Sequence, residues 1–149
     1  MRCVIQRVSE AYVTVENQET GRIEKGFCAL IGVEKGDTEK DAVYMAGKIA
    51  KLRVFEDENE KMNLSVKDVG GKVLAVSQFT LLGDARGQNR PGFTQAESPE
   101  RANALYELTC DEIRKLGVPV ENGIFRTHMV VHIVNDGPVT ILLDSKKQF

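Results

Sequence analysis

Two segments with helical periodicity, "DTEKDAVYMAGKIAKL" and "SPERANALYELTCDEIRKLG", are set among runs that read as strand, with no regular alternation of strand and helix. That order predicts an α+β chain. Residues 1–149 are expected to form a single domain, a mostly antiparallel or mixed, barrel-like β-sheet with two main helices packed on its apolar faces. In the first helical segment Ala42, Met45, Ala46, Ile49 and Leu52 recur at helical spacing after an Asp37/Thr38 start signal, with Lys40, Lys48 and Lys51 outside. The second has Ser98 as cap, Pro99 at the first helical position, Glu100 in the first turn and Gly117 as the stop.

The remaining segments alternate as half-buried or buried strands do. "CVIQRVSEAYVTVE" reads as one long strand or a hairpin, and "GFCALIGVE" as a buried strand between Gly26 and Gly36. "RVFEDENEKMNLSV" reads as two short strands around an acidic turn. "GGKVLAVSQFTLL" is a buried strand that ends in polar Ser77 and Gln78. "GDARGQNRPGFTQAES" is a long polar loop, a length that compact domains keep for function or leave disordered. The last stretch gives a short strand and then two strands meeting at Gly137-Pro138, inside "VVHIVNDGPVTILLD".

With 42% hydrophobic residues, a chain of 149 can bury roughly two-thirds of its unfolded surface and needs no staples. Its cysteines, Cys3, Cys28 and Cys110, are far apart and odd in number, which predicts neither a disulfide framework nor a thiolate zinc site and points to a reducing cytoplasm. No run approaches the ~20 apolar residues of a membrane span, so no membrane partner is expected. A net charge of −2 and a pI near 5.8 argue against coating long nucleic acid, though not against gripping a small feature of one.

Several residue groups invite a chemical reading. His128 and His132 in "HMVVH" would stand about 6 Å apart on a helix but roughly 13 Å apart on a strand, too far to share an ion. The setting says strand, so no metal site is expected. Ser77 in "AVSQF" lacks the flanking glycines of a nucleophile elbow, Ala75 and Phe79 standing there instead. Taken alone, "SQFTLL" is better read as a strand end with a capping hydroxyl. Arg86 and Arg90 in the Gly-rich loop could touch phosphate or ribose, or could simply be solvated. "NDG" is a turn signal, so Pro138 either ends one strand of a hairpin or follows a cis bond that aims successive carbonyls at an ammonium group.

Together these motifs carry a resemblance. From "MRCVIQRV" through "SQFTL" at residues 77–81 and "RPGF" at 90–93 to "NDGPVT" at 135–140, the chain closely resembles the D-aminoacyl-tRNA deacylases over essentially its whole length. The resemblance implies a cytoplasmic homodimer, without metal or organic cofactor, that hydrolyses the ester joining a D-amino acid or glycine to the 3′-terminal adenosine of tRNA. It implies that Gly137-Pro138 is cis, enters the partner subunit's pocket, where the 3′ CCA end of the tRNA binds, and faces Ser77, Gln78, Phe79 and Thr80. Parallel carbonyls there would fix the α-ammonium and reject the side chain of an L-residue.

Backbone N–H groups near Phe79 and Thr80 would stabilise the developing oxyanion. Thr80 as nucleophile competes with water activated by the tRNA's own terminal 2′-hydroxyl, and the second is favoured because no base is evident beside Thr80. Gln78 would orient the ribose or ester, Ser77 would support the pocket, and Arg7 would brace the Gly-Pro loop. One departure stands out: Phe125 is kept, but Arg126 occupies a position where many relatives carry glycine, and no role is carried over to it.

Overall fold

A computed structural model describes residues 1–149. β1 (Arg2–Val15) is the spine, a single long strand rather than a hairpin. Along one edge it pairs antiparallel first with β3 (Gly26–Gly32) and then with β2 (Gln18–Ile23). β6 (Lys72–Ser77) lies parallel to β3, and β7 (Val120–Asn122) lies parallel to β6. The other edge of β1 is taken by β8 (Val130–Asp144), giving the order β2-β1-β3-β6-β7 with β8 added to β1. β2 packs against β6 and β7, so this mixed sheet curls into a nearly closed barrel. The acidic turn does join two short strands, β4 (Phe55–Glu56) and β5 (Met62–Leu64).

Both predicted helices form, α1 (Glu39–Lys51) and α2 (Pro99–Lys115). At the start of α1 the Thr38 N–H donates to the Asp41 carboxylate at 2.8 Å, satisfying a donor that the helix itself leaves free. At α2 the predicted Ser98 hydroxyl cap makes no bond. The Ser98 N–H donates instead to Glu97 Oε1 at 2.8 Å. The helices pack side by side over one sheet face and bury the larger core, in which Ile5, Phe27, Ile31, Met45, Ile49 and Ile113 are almost fully enclosed. A smaller core of Val8, Ala11, Val13, Ile23, Cys28, Leu74 and Val76 fills the barrel interior.

The last segment departs from expectation. No hairpin turn divides it at Gly137-Pro138. β8 instead runs through as one strand, paired to β1 from Val130↔Thr14 to Asp144↔Arg2, with its register slipping around Val8. Proline has no ladder donor, so it is tolerated here because β8 is an edge strand and the irregularity absorbs it.

Candidate functional site

β6 delivers a buried apolar run, Val73 to Val76, and then a half-buried Ser77. The Gln78 N–H still follows the sheet, donating to the Ile31 carbonyl at 2.8 Å, after which the chain tightens into a 3-10 turn at Phe79–Leu82. Buried Leu82 anchors that turn, and Arg2 Nη1 donates to the Leu81 carbonyl at 3.2 Å. The first N–H groups of such a turn, those of Phe79 and Thr80, have no carbonyl of their own helix to bond. The Gln78 side-chain amide donates to the Thr80 hydroxyl. The ring of Phe79 stays 57% exposed, meeting Phe93 edge-on at 5.2 Å, so "SQFT" and "RPGF" touch.

Beside this turn opens a cavity of about 580 Å³. One wall is Val76 to Phe79, a second is Ala96 to Ala102 at the head of α2, and the third is the segment Phe125 to Val131 entering β8. Ser77, Gln78 and Phe79 therefore share one pocket. Thr80 does not line it and is exposed, joined to it through Gln78.

The third wall was missed in the sequence, apart from the notice drawn by Phe125 and Arg126, because nothing in the pattern says that this loop folds back over β6. Arg126 takes the left-handed backbone, with φ 62°, so the conformation that suits glycine is kept by a side chain that lines the pocket. His128 sits ahead of β8 and lines the same cavity, whereas His132 lies within β8 and stacks on Tyr12 with ring centroids 4.1 Å apart. No hydrogen bond links Ser77 to His128. Glu97, the carboxylate of the pocket wall, is engaged by the Ser98 N–H and by Arg101 at 3.5 Å. A serine-histidine-acid relay is not assembled.

The residues predicted in the Gly-rich loop stand apart from the cavity. Asp84 and Gly92 exchange backbone hydrogen bonds at 2.8 and 2.9 Å, closing the loop on itself. Arg86 forks onto Asp84, at 2.9 and 2.7 Å, and this pairing holds the Asp84 carboxyl well below the usual carboxylate range. Arg86 is thus charge-compensated while 90% exposed, and Arg90 is exposed without a carboxylate partner.

Gly137-Pro138 is a cis peptide, exposed on β8. Two side chains, Asn135 and Arg7, fix its surroundings. The Asn135 amide donates to the Arg7 and Val139 carbonyls at 2.9 and 3.0 Å, bridging the irregular stretch. Arg7, 6% exposed, donates from Nε to the Asp136 carbonyl at 3.2 Å and from Nη1 to the Val54 carbonyl at 2.7 Å. Its charge is met by the carboxylates of Asp136 at 3.5 Å and Glu56 at 3.9 Å. Within one chain, however, Gly137-Pro138 lies opposite Arg7 on β8, while Ser77 is level with Cys3 and three strands away. Along the curved sheet they are about 20 Å apart, and neither Gly137 nor Pro138 lines the cavity. One copy does not bring the two motifs together.

The family model for D-Tyr-tRNA(Tyr) deacylase matches residues 4–144. The chain is 61% identical to the D-aminoacyl-tRNA deacylase of Koribacter versatilis (strain Ellin345) and 57% identical to that of Thermotoga petrophila, each over 149 residues and 100% of both chains. Among solved structures, one described as a c-Myc DNA unwinding element binding protein superposes with a TM-score of 0.90 at 41% identity, covering 97% of this chain and 98% of that one. A probable eukaryotic D-amino acid tRNA deacylase superposes at 0.80 and 18% identity, covering 95% and 97%, a likeness of fold.

Proposed function

The chain belongs to the D-Tyr-tRNA(Tyr) deacylase family and is a hydrolase of that family, and from that premise we propose that it removes D-amino acids, and glycine, from the 3′ end of tRNA as a cytoplasmic homodimer. The observation that carries the reading is the separation of its two motifs. Gly137 and Pro138 are exposed on a strand whose outer edge has no partner, do not line their own chain's pocket, and lie some 20 Å from Ser77 along the sheet. A second copy, pairing through the β8 side, would carry them to the pocket lined by Ser77, Gln78 and Phe79. Val130, Val134 and Leu142, each at least half exposed on β8, supply apolar surface for such a contact.

In the assembled site the carbonyls of the partner's Gly137 and Pro138 accept hydrogen bonds from the substrate's α-ammonium. With that group fixed, the side chain of an L-residue is driven into backbone and is refused; a D side chain, or the hydrogen of glycine, points into space. Arg7 braces the loop from behind, and Ser77 supports the pocket wall.

Water, activated by the terminal 2′-hydroxyl of the tRNA, attacks the ester carbonyl. The oxyanion is met by the free N–H groups of Phe79 and Thr80, and collapse expels the ribose 3′-oxygen with a proton. Gln78 orients ribose or ester. Thr80, whose hydroxyl already accepts from Gln78 and has no base bonded to it, is not the nucleophile. Arg86 and Arg90 contact the tRNA backbone near the CCA end.

The test is release of amino acid from matched D-tyrosyl-tRNA and L-tyrosyl-tRNA, with and without EDTA. D-tyrosine alone is expected, at the same rate in both. Equal release of both enantiomers overturns the chiral filter, and release of neither overturns the enzymatic reading.

A further inference from the structure

The outward face of α1 holds a second concavity, of about 450 Å³, with Gly47 in its floor and Tyr44, Lys48, Lys51 and Arg53 around it. Several cations elsewhere on the chain are neutralised at close range, and those of this concavity are not. Arg22, Arg86, Arg101, Arg114, Lys115 and Lys146 each meet a carboxylate within 4 Å, whereas Lys48, Lys51 and Arg53 meet none. Lys147, also without a carboxylate partner, comes in from the C-terminal segment. It and Lys48 each stand over the Tyr44 ring, with nitrogens 5.5 and 5.9 Å from its centroid. Lys48, Lys51 and Lys147 thus stand on one face with no carboxylate at ion-pair distance, while Arg53 at the rim is bonded to Asn63 and lies near enough to Asp68 to lower its pKa.

Gly47 is the second observation. It lies inside α1, where glycine is the poorest helix former apart from proline, yet a Cβ there would meet nothing within 4 Å. Packing does not require the glycine. A side chain at this position would stand in the open concavity beside the lysines.

The position suits a polyanion that also reaches the pocket. α1 leaves the end of β3 at which parallel β6 ends in Ser77, and its approach is tied, by the Lys35 N–H donating to the Gln95 carbonyl at 2.8 Å, to the residue just before the pocket wall. From the helix start at Glu39, Lys48 and Lys51 lie about 14–18 Å along the axis.

We propose that this face of α1 is a docking groove for the phosphodiester backbone of the substrate tRNA, holding the acceptor region while its 3′ end occupies the pocket. The inference rests on the tRNA-ester reading above. Phosphates would sit between Lys48, Lys51 and Lys147, with Arg53 at the rim and the Tyr44 ring against a ribose.

The experiment compares the wild type with a Lys48→Glu/Lys51→Glu/Lys147→Glu variant and, separately, with Gly47→Met, which fills the floor without changing charge; circular dichroism confirms that the helices are kept. With D-tyrosyl-tRNA, KM is expected to rise roughly tenfold or more at unchanged kcat, and the slope of log affinity against log salt to become shallower by about 0.9 for each phosphate that is no longer neutralised. Hydrolysis of 3′-O-D-tyrosyl-adenosine, which carries no phosphate, keeps the wild-type rate. An unchanged KM on tRNA overturns the groove, as does equal impairment on both substrates or a change of sedimentation that marks the face as a contact between copies. If the wild type cleaves neither ester, filter binding of uncharged tRNA decides separately: weaker binding by the variants upholds the groove while the deacylase reading falls, and equal binding overturns it.

Discussion

Arg7 is an ion almost wholly withdrawn from water, and its donors go to backbone carbonyls on two different elements, Val54 before β4 and Asp136 within β8. Burial of a charge is tolerable only with such partners. Arg7→Met therefore leaves two carbonyls unpaired and is expected to cost about 2 kcal/mol by thermal or urea unfolding. Gly137 is constrained from the same side. Its φ is +124°, and a Cβ would come within 2.8 Å of Val139 Cγ2 and 3.1 Å of Arg7 Nη2. Gly137→Ala is expected to cost about 1–3 kcal/mol and to narrow the ratio of D-ester to L-ester cleavage, read from the two kcat/KM values. Thr80→Ala, by contrast, should keep activity on intact tRNA to within about tenfold, and a tRNA ending in 2′-deoxyadenosine should lose far more. The reverse result would make Thr80 the catalytic hydroxyl. The contact between Arg7 and the Gly-Pro segment was legible only through the family resemblance. Thr80's exposure outside the cavity was not, because it depends on how the 3-10 turn closes.

Among the elements, β8 is the one whose surface the chain leaves unfinished. It is 15 residues long, pairs on one side only, and exposes Val130, Val134 and Leu142. A long edge with apolar side chains is a template for another chain unless something covers it. Leu142→Glu puts a charge on that surface without touching the pocket, and is expected to shift the protein toward monomer in sedimentation at micromolar concentration and to lower deacylation in parallel. A dimer undisturbed by the change would move the interface elsewhere. The helices were readable because their periodicity and termini are local: Thr38, Pro99 and Gly117 stand where expected, Gly117 with φ +90°. β8 was misread as two strands because proline and glycine break a ladder in general. Only its place at the edge, with a slipped register beside β1, lets the strand continue.

At the scale of the whole molecule, two apolar cores enclose all three thiols. Burial pushes Cys28 up to about 12 and Cys3 and Cys110 upward as well, so none carries an appreciable thiolate near neutral pH. A thiol reagent at pH 8 is expected to titrate none of them until denaturant opens the fold. The carboxyls act in the other direction. Backbone N–H groups of Lys61 and Asn59 hold Asp57 below its ordinary value, the Ser65 N–H does so for Asp68, and Arg86 for Asp84. Each has a lower pKa folded than unfolded, so the unfolded chain binds more protons as the pH falls through about 4. Their stabilisation is complete above about pH 5 and is lost below. Melting temperatures from pH 7 to pH 3 should stay level and then drop, and Asp57→Asn should shrink the drop.

What the chain determined by itself was local or chemical: helical period and capping, the alternation of strands, the polar end of β6, and motifs specific enough to place it in its family. These are written in neighbouring residues and need no knowledge of what lies across the molecule. Tertiary structure alone decided that β6 runs parallel between β3 and β7, that Phe125 to Met129 closes a pocket over Ser77, and that Gly137-Pro138 stands three strands from it. Register and closure are set by contacts between residues far apart in the chain, and no local pattern encodes them.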